Sequence, residues 1–322
     1  MSYLITGAGQ IGTALARLLS SSGADITIIR RRNDPVPGVR TLTGDAGDRT
    51  LLANAARGTA AIFHCIHAPY DAQAWRTELP ERERAAMDIA AELEIPIIFP
   101  ESVYAYGHNA ENLTEGAPLD PCSPLGDVRA DLLTARAAHP ARTRSIIASD
   151  LVGSGASVNA SVPLLTIAAP VLNRRTAWTF GDTDAPHSLT DLTDLAAAML
   201  SAANDPDPSP DRILHAPTSP ALSMWEFAAE VAASTQAMPR VRTVPTMAVR
   251  ATGLVNRTAR ALGQQAYLWE RPCILRPGAL MTAGAMPRPW EEIIAGSIST
   301  VRASQRATAP ARRTPRRPAS HR

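Results

Sequence analysis

No lysine occurs in the 322 residues, so all 32 basic side chains are arginine. That absence excludes several mechanisms at once. A lysine-bearing phosphate loop, a pyridoxal Schiff base and a lysine-assisted tyrosine acid each require an ammonium that this chain does not carry. Cysteine is nearly as scarce. Cys65, Cys122 and Cys273 stand far apart, with no Cys-x-x-Cys and no Cys/His ligand spacing. This argues against a disulfide framework and against a structural metal site, and reduced thiols are expected. No run of about 18 apolar residues appears, and the N-terminus passes directly into an apolar strand pattern without a basic segment. Neither a membrane span nor a signal peptide is expected, which places the chain in the cytoplasm.

Charge is present but unevenly spread. The formal balance is +2, yet Arg302, Arg306, Arg312, Arg313, Arg316, Arg317 and Arg322 lie in a terminal stretch with no acidic residue, and removing those seven leaves the rest near −5. Residues 302–322 are rich in Pro, Ala and Arg and lack apolar periodicity, so a disordered tail is expected. Such a tail can touch an anionic surface through charge alone. No aromatics are interleaved with its arginines for base stacking, and nucleic-acid binding is not expected as the function.

With 45% hydrophobic residues the chain can bury a large core. Its first half alternates short apolar runs with longer helical patterns, which predicts an α/β fold with a doubly wound parallel sheet. Strands are expected at 3–6, 24–30, 39–43, 60–66, 96–100 and 144–149, with helices at 10–21, within 73–93 and at 124–138. Beyond Gly153 the rhythm breaks up. Residues 1–155 are therefore expected to form a dinucleotide-binding domain, and 156–301 a smaller substrate-side region partly interleaved with the same sheet. Asn204 to Asp211, alternating Asp and Pro, reads as a surface loop. Ser223 and Glu226 read as a capping box that opens a helix.

The sharpest motif is Gly7-Ala8-Gly9-Gln10-Ile11-Gly12, which follows a predicted strand and opens a predicted helix. In that context Gly7 permits a tight turn, Gly9 lets backbone approach a diphosphate, and Gly12 lets the helix pack on the strand while the amides of Gln10, Ile11 and Gly12 face the anion. About 20 residues later, where an acidic side chain would hold the ribose of NAD, stand Arg30, Arg31 and Arg32. A guanidinium there suits the 2′-phosphate of NADP, which is favoured over NAD. Asp34 keeps the NAD alternative open.

These residues resemble the short-chain dehydrogenase/reductase superfamily, in the extended and atypical branch that includes the NAD-dependent epimerases and dehydratases of sugar nucleotides. The resemblance runs from Thr6-Gly7 to about Thr300. Gly44-Asp45 resembles the family's Gly-Asp after the third strand, which implies an adenine contact for Asp45. Phe63 to His67 is similar to the strand end beside the nicotinamide, which brings His67 to the cofactor. Glu101 to Gly107 resembles the segment that carries a catalytic Ser or Thr, and Ser102 falls on that position. Asp182 to Asp194 resembles the segment leading to a helix-capping Asp, and Asp194 has the chemistry of an N-cap. The resemblance implies a small-molecule or sugar-nucleotide substrate and allows a homodimer.

One departure outweighs these matches. The family transfers protons through Tyr-x-x-x-Lys, in which the ammonium lowers a phenol pKa from about 10 toward neutrality. In Ser123-Pro124-Leu125-Gly126-Asp127-Val128-Arg129 the tyrosine position holds Leu125 and the lysine position Arg129. Leucine has no proton to give. Arg129 has the charge to hold a nicotinamide ribose, but its guanidinium is not a practical acid or base. Tyr104 and Tyr106, at the end of the fifth strand, are the candidate substitutes, and strand alternation sends one of the two into the core. Two functions follow: an oxidoreductase or epimerase-like enzyme with a non-standard acid, or a dinucleotide-binding regulator or redox sensor that has lost the chemistry. A third is an adaptor acting through the arginine tail. Fold analogy favours the enzyme.

Overall fold

A computed structural model describes residues 1–32, 34–236, 238–245, 247 and 257–308. The apolar run at the N-terminus forms β1 (Ser2–Thr6), followed by α1 (Gln10–Ser21), β2 (Asp25–Arg30), β3 (Arg40–Thr43), α2 (Arg49–Ala56), β4 (Ile62–His64) and α3 (Ala72–Glu92). Next come β5 (Ile97–Ser102), α4 (Pro124–Ala137), β6 (Thr143–Ala148) and β7 (Asp150–Val152). The remainder holds α5 (Ala169–Leu172), β8 (Ala177–Phe180), β9 (Leu189–Asp191), α6 (Leu192–Ala203), β10 (Asp211–His215), α7 (Met224–Ala233) and β11 (Val241–Val244). The short helices α8 (Arg257–Gln264), α9 (Tyr267–Glu270) and α10 (Ala279–Thr282) precede a long last helix, α11 (Trp290–Thr308).

Seven strands form one parallel sheet in the order β10-β6-β5-β4-β1-β2-β3. The expected doubly wound fold is present, and the chain reverses its direction of travel across the sheet between β1 and β4. That is where such sheets open a crevice for a ligand. Strand alternation explains why both faces are covered. Leu4 and Ile29 turn to one side and meet Leu52, Ala86 and Ile89 of α2 and α3. Ile5 and Ile28 turn to the other and meet Leu15 and Leu19 of α1 and Leu195 and Met199 of α6. Each fully buried Leu or Ile contributes about 1.5–3 kcal/mol. Two-sided burial therefore fixes the register of β1, since a one-residue slip would exchange its two faces.

A seventh strand, β10, follows the Asp/Pro loop and carries a single short apolar pair, Ile213-Leu214, too brief to announce a strand. The loop itself is fastened. Buried Arg144 donates to the carbonyls of Ser209 and Asp207 at 3.0 and 2.8 Å and pairs with Asp205. Beyond β6, β7 pairs with β9 and β8 with β11, and the helices α5, α7, α9 and α11 close over a second apolar core. The capping box at Ser223 and Glu226 opens α7 as expected.

Two expectations are corrected. Asp191, not Asp194, caps α6: its carboxylate accepts from the amides of Thr193 and Asp194. Asp194 lies inside the first turn and accepts the Arg288 amide at 2.8 Å. The arginine tail does not begin at Arg302, because α11 carries through Thr308, held by Ile294, Ile298 and Val301 against the second core. Residues 309–322 lie outside the described residues, and the adaptor reading lies there with them. Among the described residues no helix is long and apolar enough to cross a membrane.

Candidate functional site

The glycines of the first βα turn fall into two physical classes. Gly7 has φ +94°, and a Cβ there would stand 2.7 Å from the Cys65 carbonyl oxygen on β4's exit. A Cβ on Gly12 would stand 2.0 Å from the Gly7 carbonyl. The protein's own packing demands both. Gly9 is different: its φ is −76°, ordinary for any residue, and among the described residues no heavy atom lies within 4 Å of its missing Cβ. Nothing among the described residues requires glycine there. What the site offers is a bare approach to the N-terminus of α1, where no side chain caps the first-turn amides of Gln10, Ile11 and Gly12. Uncapped amides at the positive end of a helix, reached over a residue without a side chain, fit the diphosphate of a dinucleotide. The Gln10 side chain is engaged elsewhere, accepting the Ser157 amide at 2.7 Å.

At the end of β2, Arg30 donates to the backbone oxygen of Asp34 and pairs with its carboxylate at 3.2 Å. Arg31 is exposed. The Asp45 carboxylate accepts the Gly47 amide at 2.8 Å and stands 3.5 Å from Arg82, and these hold its pKa below the ordinary value.

Across the switch point, β4 and β5 deliver the remaining residues. His64, buried at the end of β4, shares a 3.0 Å hydrogen bond with Thr6. Burial, with Arg136 adding, lowers its pKa to about 3, so it is a neutral structural group. His67 lies edge-on to Trp75 with centroids 5.0 Å apart, and desolvation with the charge of Arg129 lowers its pKa to about 4. Ser102 ends β5, and its amide donates to Glu101 at 2.8 Å.

After Ser102 the backbone leaves the strand. Residues 103–112 form 3₁₀ turns kinked at Gly107 (φ +48°), so the alternation expected to separate Tyr104 from Tyr106 does not apply. Tyr106 is 3% exposed within the second core. Tyr104 is half-buried, stacks on Trp75 at 6.4 Å and shares a 3.1 Å hydrogen bond with the hydroxyl of Tyr70. Burial raises both phenols above their ordinary value. For Tyr104 the neighbouring Tyr70 and Asp150 act in the same direction.

Leu125 and Arg129 sit on α4, which Ser123 caps through the Gly126 amide. Leu125 is fully buried with Trp75, Leu79, Val128 and Leu132. The Arg129 guanidinium lies 4.3 Å over Trp75 with its Nε 3.4 Å from Glu101. Glu101 is also bound by Arg136, two turns further along α4, which pairs with Glu83 at 2.7 Å as well. Two carboxylates therefore neutralise two guanidiniums in the interior.

Sequence reasoning passed over Trp75, Tyr70, Arg136 and one further pair. Asp150 begins β7 just past the end of β6, and its carboxylate lies 3.0 Å from Nε2 of His187. His187 is buried and stacks flat on Trp269 at 4.1 Å. Thirty-seven residues separate the pair, and no local pattern connects them. Only the position of Asp150 after the sixth strand was a usable signal.

A parallel sheet reversing at β1/β4, with an uncapped helix N-terminus and a bare glycine at the reversal, defines a dinucleotide-binding Rossmann protein. The model of the NAD dependent epimerase/dehydratase family matches residues 3–214, and the chain belongs to that family. Solved structures share the fold at low identity. The UDP-glucose 4-epimerase of Thermus thermophilus, in complex with NAD, is 19% identical with a TM-score of 0.70, over 94% of this chain and 100% of that one. The Thermotoga maritima UDP-glucose 4-epimerase with UDP-glucose is 14% identical with a TM-score of 0.72, over 95% and 100%. The Bordetella bronchiseptica enzyme WbmH in complex with NAD+ is 17% identical with a TM-score of 0.68, over 94% and 98%. A curated relative, the Trk system potassium uptake protein TrkA homolog of Pyrococcus abyssi, is 38% identical over 79 residues, 22% of this chain. The chain spans about a third of that relative's length (34%).

Proposed function

We propose that this chain binds a nicotinamide dinucleotide at the β1/β4 reversal and acts as an epimerase-like oxidoreductase on a small or sugar-linked substrate. The observation that carries the reading is Gly9, a glycine that no contact among the described residues requires, set before uncapped helix amides. Gly7, Gly9 and the amides of Gln10, Ile11 and Gly12 hold the diphosphate. Asp45 serves the adenine side, and His67 lines the nicotinamide side. Arg30 and Arg31 favour NADP, with a 2′-phosphate taking the place that the Asp34 carboxylate holds on Arg30. The similar solved structures, bound to NAD or to UDP-glucose, support a sugar-nucleotide substrate class.

When bound, the dinucleotide gives or takes a hydride. The chain's own groups supply hydrogen bonds and charge. The Tyr104 phenol, held protonated by burial and with no ammonium beside it, donates to a substrate oxygen and does not take a proton from one. Ser102 offers a second hydroxyl. Arg129, already neutralised by Glu101, does not replace the missing lysine. Leu125, buried at the tyrosine position, favours a second reading in which the chain binds the dinucleotide as a regulator without turnover.

Calorimetric titration with NAD and NADP tests the first step, and turnover over a panel of carbonyl compounds and sugar nucleotides separates the readings. Binding with turnover supports the enzyme. Binding without turnover supports the regulator. No binding of either dinucleotide at millimolar concentration overturns both.

A further inference from the structure

Asp150 has no part in the family pattern described above, and His187 lies in a matching segment without a role, yet the two are paired at the edge of the site. In the pairing of β5 with β6, Ser102 lies opposite Ala148. Tyr104 and Asp150 are each two residues beyond those partners, so both emerge at the same C-terminal edge of adjacent strands. The backbone of Asp150 is then fixed by β7, which pairs it with Leu189.

The two members of the pair differ in access. His187 is sealed: it is 2% exposed, one face lies on Trp269, and its backbone exchanges hydrogen bonds with Leu222 at 2.9 and 3.2 Å. Its Nδ1 has no hydrogen-bond partner among the described residues. The Asp150 side chain remains 22% exposed, and its charge adds to the burial that raises the phenols of Tyr70 and Tyr104. The carboxylate thus keeps an open side at the strand edge that also carries Tyr104, while the buried imidazole holds it from within. This reverses the order found in hydrolytic triads, where the carboxylate is the buried member and the imidazole meets the substrate.

We propose that Asp150 is the proton acceptor of this site, positioned by His187, and that it takes over the task left vacant by Leu125 and the absent lysine. The proposal rests on the dinucleotide reading above. As a substrate hydroxyl is oxidised, its O–H bond breaks and the proton passes to an Asp150 carboxylate oxygen. The C–H electron pair leaves as hydride to the oxidised dinucleotide, and the C=O bond forms. In the reverse direction Asp150 returns the proton. Tyr104, protonated throughout, donates a hydrogen bond to the same oxygen.

The test uses the full chain. In 15N-histidine spectra without any ligand, the His187 ring shows an Nε2-bound proton that Asp150→Asn perturbs and Trp269→Phe leaves in place. Calorimetry with NADP gives Asp150→Asn a dissociation constant within about twofold of wild type, while turnover of the best substrate in the carbonyl and sugar-nucleotide panel falls at least 100-fold. Asp150→Ala regains part of that turnover on adding formate, which a purely structural role for Asp150 does not allow. Turnover of Asp150→Asn within tenfold of wild type overturns the proposal. So does a wild-type chain that binds NADP but turns over no member of the panel, and in that case the binding reading stands. Failure of the wild type to bind either dinucleotide removes both.

Discussion

The Arg129 guanidinium lies between Trp75, 4.3 Å below it, and Glu101, 3.4 Å from its Nε. This contact explains why simple restoration of the family's residues is expected to fail. In a Leu125→Tyr/Arg129→Lys variant the new phenol enters a filled space beside Trp75, Leu79 and Val128, and Glu101 draws the new ammonium away from it. The double variant loses about 2 kcal/mol of stability from overpacking and gains no turnover. Urea denaturation and the substrate panel measure the two effects. A stable double variant with increased turnover would show that Leu125 and Arg129 together withhold the usual chemistry.

The glycines of the first turn separate folding from binding. Gly12→Ala places a Cβ where the Gly7 carbonyl stands and is expected to unfold the chain or lower its melting temperature by several degrees. Gly9→Ala meets no atom of the described residues and is expected to keep the melting temperature of the free protein. A larger Gly9→Val fills the approach to the helix amides and weakens NADP binding at least tenfold. Equal binding by Gly9→Val and wild type would remove the reason for a glycine at this position.

Elements built from local signals were legible in the sequence. The turn from Thr6 to Gly12 is one, because strand, glycines and helix follow each other directly. So were the helices over Gln10–Ser21 and Pro124–Ala137, whose starts are fixed by Gly9 and the Ser123 cap. Elements that depend on distant packing were not. Asp191 and Asp194 both have capping chemistry, and only the placement of Arg288 against Asp194 decides between them. The helical state of Arg302 to Thr308 comes from neighbouring Ile298 and Val301 meeting the second core, which no tail composition reveals. The departure at Leu125 was readable in the sequence. The burial of Glu101 between two arginines, and the pairing of Asp150 with His187, were not.

Buried His64 makes stability depend on acid. Its folded pKa, about 3, lies below its ordinary 6.5, so the unfolded chain binds the proton more tightly. The stability it contributes is fully present above pH 6.5 and is lost as pH falls toward 3, by about 1.4 kcal/mol for each unit. His64→Asn keeps a partner for Thr6 and has nothing to protonate. The difference in unfolding free energy between wild type and this variant should therefore shrink or reverse from pH 7 to pH 4.5 by about 3 kcal/mol. Parallel urea curves at the two pH values would contradict this.

Arg30 and Asp34 are expected to decide the choice of dinucleotide. The guanidinium is largely covered and the Asp34 carboxylate, at 3.2 Å, largely open, so the acid is the partner that an incoming 2′-phosphate displaces. A charge-assisted hydrogen bond contributes about 1.5–3 kcal/mol, which corresponds to at least a tenfold change in affinity. Arg30→Ala is expected to weaken NADP about tenfold or more and to leave NAD nearly unchanged. Asp34→Ala frees Arg30 and removes a negative charge beside the phosphate, so it tightens NADP binding and leaves NAD nearly unchanged. Both ratios come from paired calorimetric titrations at fixed ionic strength, since screening weakens exposed charge contacts. If Arg30→Ala lowers both affinities equally, Arg30 shapes the end of β2 and does not read the 2′-phosphate. If Asp34→Ala selectively loses NAD, the carboxylate itself holds the ribose.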